Sequence, residues 1–94
     1  LTGSDVTPEA LEEIFEKTID GFSTVFHQIS FEKIKTSTIQ SRATAGVYKN
    51  KFIFALPGSP SAVADGWDEI LKYQLDSRHK PCNFVDIMPR LIED

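Results

Sequence analysis

The sequence predicts an α/β fold, and only the C-terminal part of a larger α/β domain. Three observations point there. Lys51-Phe52-Ile53-Phe54 leads into Ala55-Leu56 as an almost unbroken apolar segment, the pattern of a strand buried on both faces. Three or four amphipathic helical stretches surround it, yet only two strands can be read, and helices on both faces of a sheet need more strands than that. Leu1-Thr2-Gly3-Ser4-Asp5 is loop vocabulary with no initiator Met, as if the chain were cut from inside a longer protein.

Composition narrows the function classes. Ninety-four residues make at most one small domain. A net charge of −4 and a pI near 5.1, with no basic stripe, argue against a nucleic-acid partner. No apolar run approaches ~20 residues and the start does not read as a signal peptide, so no membrane partner is expected. The one cysteine, Cys82, has no internal disulfide partner, which fits a reducing cytoplasm, and reads as a packing residue.

Thr7-Pro8-Glu9 opens the first predicted helix, with Thr7 as N-cap, Pro8 at the first helical position and Glu9 against the dipole. Leu11, Ile14, Phe15, Thr18 and Ile19 fall on one face, and Gly21 stops it. Phe22, Val25, Phe26 and Ile29 repeat the spacing over a second helix, with His27 on its polar side, where a lone histidine is usually a surface or satisfied residue. No Cys or second His lies at ligand spacing from it. A weaker third helical stretch runs from Phe31 to about Gln40, and Thr36-Ser37-Thr38 favours a break within it. Ser41-Arg42-Ala43-Thr44-Ala45-Gly46 follows, small and polar with one guanidinium. It reads either as a phosphate contact or as a capped helix end entering a strand.

Ala45–Tyr48 and Lys51–Leu56 predict a β-hairpin turning at Lys49-Asn50. Leu56-Pro57-Gly58-Ser59-Pro60 then predicts a strand-to-helix turn: Ser59 as N-cap, Pro60 at the first helical position, Gly58 leaving the backbone open to a ligand. Free amides and the helix dipole there make a candidate anion site. Local chemistry alone favours a plain, well-capped connection. The following helix is predicted to reach about Leu75. Asp76 to Lys80 is a polar connection, and Pro89 interrupts the apolar stretch from Pro81 to Met88.

These same stretches carry a resemblance. Leu1-Thr2-Gly3-Ser4-Asp5-Val6-Thr7-Pro8-Glu9-Ala10 is similar to the tail of the Gly-Gly-Thr-Gly-x4-Asp-x-Thr-Pro-Glu-Ala signature of the molybdopterin-binding family of molybdenum cofactor biosynthesis. Ser41 to Gly46, Leu56 to Pro60 and Arg78-x-x-Pro81-Cys82-Asn83 resemble further family motifs in order. The Gly-Gly-Thr-Gly part and the family's N-terminal half, with a further motif aspartate, are not in this sequence, which agrees with the strand deficit.

The resemblance implies a three-layer α/β/α fold with a mostly parallel sheet, of which this chain is the C-terminal part. It implies a homo-trimer or hexamer in the cytoplasm, with the N-terminal half of the same protein as partner. It implies that molybdopterin is bound and its phosphate adenylylated with Mg-ATP, GTP being a possible substitute. Asp5 matches the motif aspartate, implying a catalytic carboxylate that holds Mg2+. Thr7, Glu9, Ser41, Arg42, Gly46, Pro57, Gly58 and Ser59 match substrate-binding positions. Read by itself, Asp5 is a loop carboxylate beside a helix dipole, worth under about 1 kcal/mol. Two functions stay open: a molybdopterin adenylyltransferase, and a pterin- or nucleotide-binding protein of the same pathway without catalysis.

Overall fold

The computed structural model describes residues 7–91. α1 is short, Thr7–Glu12, where the sequence pattern predicts a helix running on to Ile19. The correction has a physical cause. The chain leaves the helix because the amides of Glu16 and Ile19 donate instead to the carbonyls of Val47 and Ala45, at 2.8 and 2.7 Å. The two residues between them, Lys17–Thr18, form β1 and pair antiparallel with the neighbouring strand. Gly21, predicted as a helix stop, lies in the first turn of α2, Asp20–Ile34.

α2 joins the second predicted helix to the start of the third and buries Phe22, Phe26 and Ser30, spaced four apart on one face. It ends where Lys35 turns to φ 57°, and a 3-10 helix, Lys35–Gln40, takes over through Thr36-Ser37-Thr38. The weak helical propensity of that run fits this change.

β2, Thr44–Tyr48, and β3, Lys51–Ala55, form the predicted hairpin. Lys49 and Asn50 both have positive φ, 49° and 63°, as a type I′ turn requires. Strand order is β1-β2-β3, and every pairing is antiparallel. For β2 and β3 the two-residue connection permits nothing else, since a parallel neighbour needs a long crossover. The mostly parallel sheet implied by the resemblance is therefore not found among the described residues. Burial on both faces, expected of Lys51–Leu56, belongs instead to β2. β2 is the central strand, while β3 pairs on one side among the described residues and is half-buried.

The chain then runs as one helical rod: α3, Pro60–Gly66, a π-helical Trp67–Leu71, and α4, Lys72–Gln74. It packs Ile70 and Leu71 against Phe22, Phe26, Ala43 and Ala45 to make the core. Gly66 allows the rod to sit on Leu56, whose methyl carbons lie 2.7 Å from where a Cβ would stand. Phe52 and Phe54 stack with Phe84 at 4.8 and 5.8 Å between ring centres. Phe84 begins α5, Phe84–Ile87, capped by buried Asn83, which accepts from the Asp86 amide at 2.8 Å. Cys82, expected to pack, is exposed, and its neighbour Asn83 takes the buried place, donating to the Ser77 and His79 carbonyls at 3.3 and 3.1 Å.

Candidate functional site

Three separated stretches meet at one cleft of about 550 Å³. Thr7 and Pro8 come from α1, Gln40, Ser41 and Arg42 from the end of the 3-10 helix, and Ala55 to Ser59 from the turn between β3 and α3. The hairpin makes this possible. β2 carries the chain away from Arg42 and β3 runs back, with Ala55 opposite Thr44, so the Leu56–Ser59 turn arrives beside Arg42. A second cavity of about 370 Å³, between α2 and the 60–74 rod, is lined mainly by apolar side chains such as Phe22, Ile70 and Phe84. No arginine lines it, and its polar side chains are Glu69, Tyr73, Gln74 and His79.

Within the polar cleft, Ser59 caps α3 as predicted: its Oγ accepts from the Ala62 amide at 3.2 Å and its carbonyl accepts from Val63 at 3.1 Å. Ser59 thus takes the Ala62 amide, one of the first-turn amides that the sequence reading left for an anion. The cleft's positive character rests on Arg42 and on the start of the helical rod. Arg42 donates to Glu9 in an ion pair across the cleft mouth. The Glu9 carboxyl sits below the usual carboxylate range, held there by its own backbone amide and then by Arg42. Gly58 has negative φ, and a Cβ there would meet open space, so its backbone faces the cleft without packing against anything.

Of the sequence-predicted site residues, Thr7, Ser41, Arg42, Pro57, Gly58 and Ser59 line the cleft, and Glu9 reaches it through Arg42. Gly46 does not. It is buried in β2 beneath the Phe15 ring, which occupies the place of a Cβ. Asp5 lies outside the described residues. Among the described residues no three His, Cys, Asp or Glu side chains gather as a metal site. Sequence reasoning missed His27, whose Nε2 reaches the Ser41 carbonyl at 2.9 Å; no local pattern announces a contact fourteen residues away.

Residues 1–77 match a family model described as "Probable molybdopterin binding domain". The chain belongs to that family. Molybdenum cofactor biosynthesis protein B of Escherichia coli (strain K12) is 51% identical over 84 residues, 89% of this chain and 49% of the relative. A protein of Methanocaldococcus jannaschii named "Probable molybdopterin adenylyltransferase" is 55% identical over 58 residues, 62% of this chain and 36% of the relative. The chain thus spans about half or less of the length of these curated relatives. Its fold is similar to a crystal structure of molybdenum cofactor biosynthesis protein B, with a TM-score of 0.77 and 36% identity over 80% of this chain and 47% of that one. It is also similar to the tungsten cofactor synthesizing protein MoaB from Pyrococcus furiosus, with a TM-score of 0.71, 35% identity, and coverage of 80% and 48%. No described helix is long and apolar enough to cross a membrane.

Proposed function

We propose that this chain is the C-terminal part of a single molybdopterin-binding domain whose whole protein acts in molybdenum cofactor biosynthesis, binding molybdopterin and adenylylating its phosphate with Mg-ATP. The observation that carries this is the meeting of Ser41-Arg42 with the Pro57-Gly58-Ser59 turn in one polar cleft. A guanidinium is a planar donor suited to phosphate oxygens. Hydroxyls of Thr7, Ser41 and Ser59 add neutral donors, and the bare Gly58 backbone lets the ligand close in. An arriving phosphate competes with Glu9 for Arg42, so Glu9 acts as the anion that holds Arg42 in place beforehand.

In the transfer, a molybdopterin phosphate oxygen attacks the α-phosphorus of ATP. A new P–O–P bond forms, the α–β anhydride bond breaks, and pyrophosphate leaves. Mg2+ bound with the nucleotide supplies charge neutralisation on its phosphates. Asp5, on its match to the family's motif aspartate alone, is the carboxylate we assign to the metal and to catalysis. The whole domain, in this reading, is a three-layer α/β/α fold in which strands of the N-terminal half extend the sheet as mostly parallel neighbours. It works in the cytoplasm as a homo-trimer or hexamer, with GTP a candidate alternative to ATP.

The test uses the full-length protein with purified molybdopterin and Mg-ATP. Asp5→Asn should keep its melting temperature and molybdopterin affinity while losing AMP transfer by about 100-fold, some 2.7 kcal/mol of transition-state stabilisation. Transfer at the parent rate removes the catalytic role from Asp5. A parent that binds the pterin but never transfers AMP is a binding protein of the pathway, and one that does neither overturns the reading.

A further inference from the structure

We infer that His27 is a positioning residue for the cleft: its imidazole Nε2–H, donated from α2 to the Ser41 carbonyl, fixes the backbone that presents Ser41 and Arg42 to the ligand. This rests on the function proposed above and names a part of the site that lies outside the cleft.

Residues 41–43 belong to neither helix nor strand, so no ladder of their own holds them. The Ser41 amide donates to the Thr38 carbonyl at 2.9 Å, closing the 3-10 helix. The Ser41 carbonyl accepts from His27 Nε2 at 2.9 Å. Both backbone groups of Ser41 are thereby engaged, one by the preceding turn and one by α2. The other ring nitrogen is also occupied. Nδ1 lies 2.9 Å from the Ser23 carbonyl and 3.4 Å from the Ser23 hydroxyl, one helical turn back.

A carbonyl oxygen can only accept, so Nε2 must carry a proton to bond Ser41. Two states satisfy this. In the imidazolium, Nδ1–H donates to the Ser23 carbonyl. In the neutral Nε2–H tautomer, the Ser23 hydroxyl donates to Nδ1. The tether to Ser41 is the same in both, and only the Nδ1–H tautomer breaks it. Ser23 offers Nδ1 both an acceptor, its carbonyl, and a donor, its hydroxyl, so Nδ1 has a partner in either state that keeps the tether. The ring itself is steadied edge-on against buried Phe26, with centres 5.8 Å apart. Since both nitrogens are taken by protein groups and the ring does not line the cleft, His27 does not touch substrate. It acts through Ser41.

The experiment uses the full-length protein and two variants, His27→Leu, which has no donor, and His27→Gln, whose amide nitrogen stands near the Nε2 position. In the free parent, nitrogen NMR should find His27 Nε2 protonated and coupled through the hydrogen bond to the Ser41 carbonyl carbon. An unprotonated Nε2 overturns the inference whatever the ligand does. Molybdopterin affinity should weaken by about five- to tenfold in the Leu variant, the worth of one such hydrogen bond, and return in the Gln variant. A role in stability alone predicts a lower melting temperature with parental affinity in both, and that result also overturns it. If the parent does not bind molybdopterin, the function proposed above fails, while the Nε2 measurement still decides the tether.

Discussion

A methyl group added at Gly46 would land inside the Phe15 ring, whereas one added at Gly58 would meet nothing within 4 Å. The sequence motifs assign both glycines to the ligand, and the structure gives them different tasks. Gly46→Ala should therefore cost about 1–3 kcal/mol in urea unfolding, because the whole ring must move off the strand. Gly58→Val should leave stability near the parent value and weaken molybdopterin binding. Equal stability losses for the two would contradict the assignment. A second prediction at this scale concerns Asp76. Its carboxylate accepts from the Arg78 Nη2 at 2.8 Å, from Nε at 3.0 Å and from the Arg78 amide at 2.9 Å. Those bonds lower its pKa to about 2, the side-chain bonds contributing most. A depressed carboxyl contributes stability that is present above the unfolded value near 4 and is lost as pH falls through about 2. Carboxyl NMR titration should place the midpoint there, and Arg78→Gln should bring it back toward the ordinary range. A parental midpoint in that variant would show that Arg78 is not the cause.

Among the elements, the hairpin and the Ser59-capped helix were legible because their causes are local: positive-φ turn residues and a cap. The end of α1 was not. Ile14, Phe15 and Ile19 keep a helical spacing, but Glu16 and Ile19 find backbone partners on β2, some thirty residues away, and that pairing prevails. The same limit applies to the cleft: its parts could be named from motifs, while the Arg42–Glu9 pair and the His27 tether depend on how the elements pack. One element carries visible strain. At the end of α2, Lys35 takes φ 57° and ψ −135°, a region that a residue with a Cβ rarely enters. Its amide still bonds the Phe31 carbonyl, closing α2 where the 3-10 helix begins. Lys35→Gly should raise stability by about 1 kcal/mol, and Lys35→Val should lower it by at least as much. Denaturant midpoints in which Gly is worse than Lys would show that the side chain's contacts outweigh the backbone cost.

For the molecule as a whole, the core is small for what surrounds it. Besides alanines, the buried hydrophobic side chains among the described residues are Phe22, Phe26, Val47, Ile70 and Leu71, while Phe31, Ile39, Val63, Trp67 and Tyr73 are exposed. The radius of gyration, 13.8 Å, exceeds the roughly 12 Å expected of a compact domain of this length. Such a chain should not fold cooperatively by itself, and a sharp thermal transition of the isolated 94 residues as a monomer would refute that. Val63 and Trp67, about half exposed and one turn apart on the 60–74 rod, mark a face to be covered. In the whole protein proposed above, the expected cover is a neighbouring subunit or the N-terminal half. The two are separable. Val63→Lys with Trp67→Lys leaves Ile70 and Leu71 in the core, yet places two charges on the face. Sedimentation should show subunits released if another copy covers it. If the same protein's other half does so, the assembly persists and the melting temperature falls, since each buried side chain of this size contributes about 1.5–3 kcal/mol. Unchanged assembly together with unchanged melting would mean that this face stays in water in the whole protein.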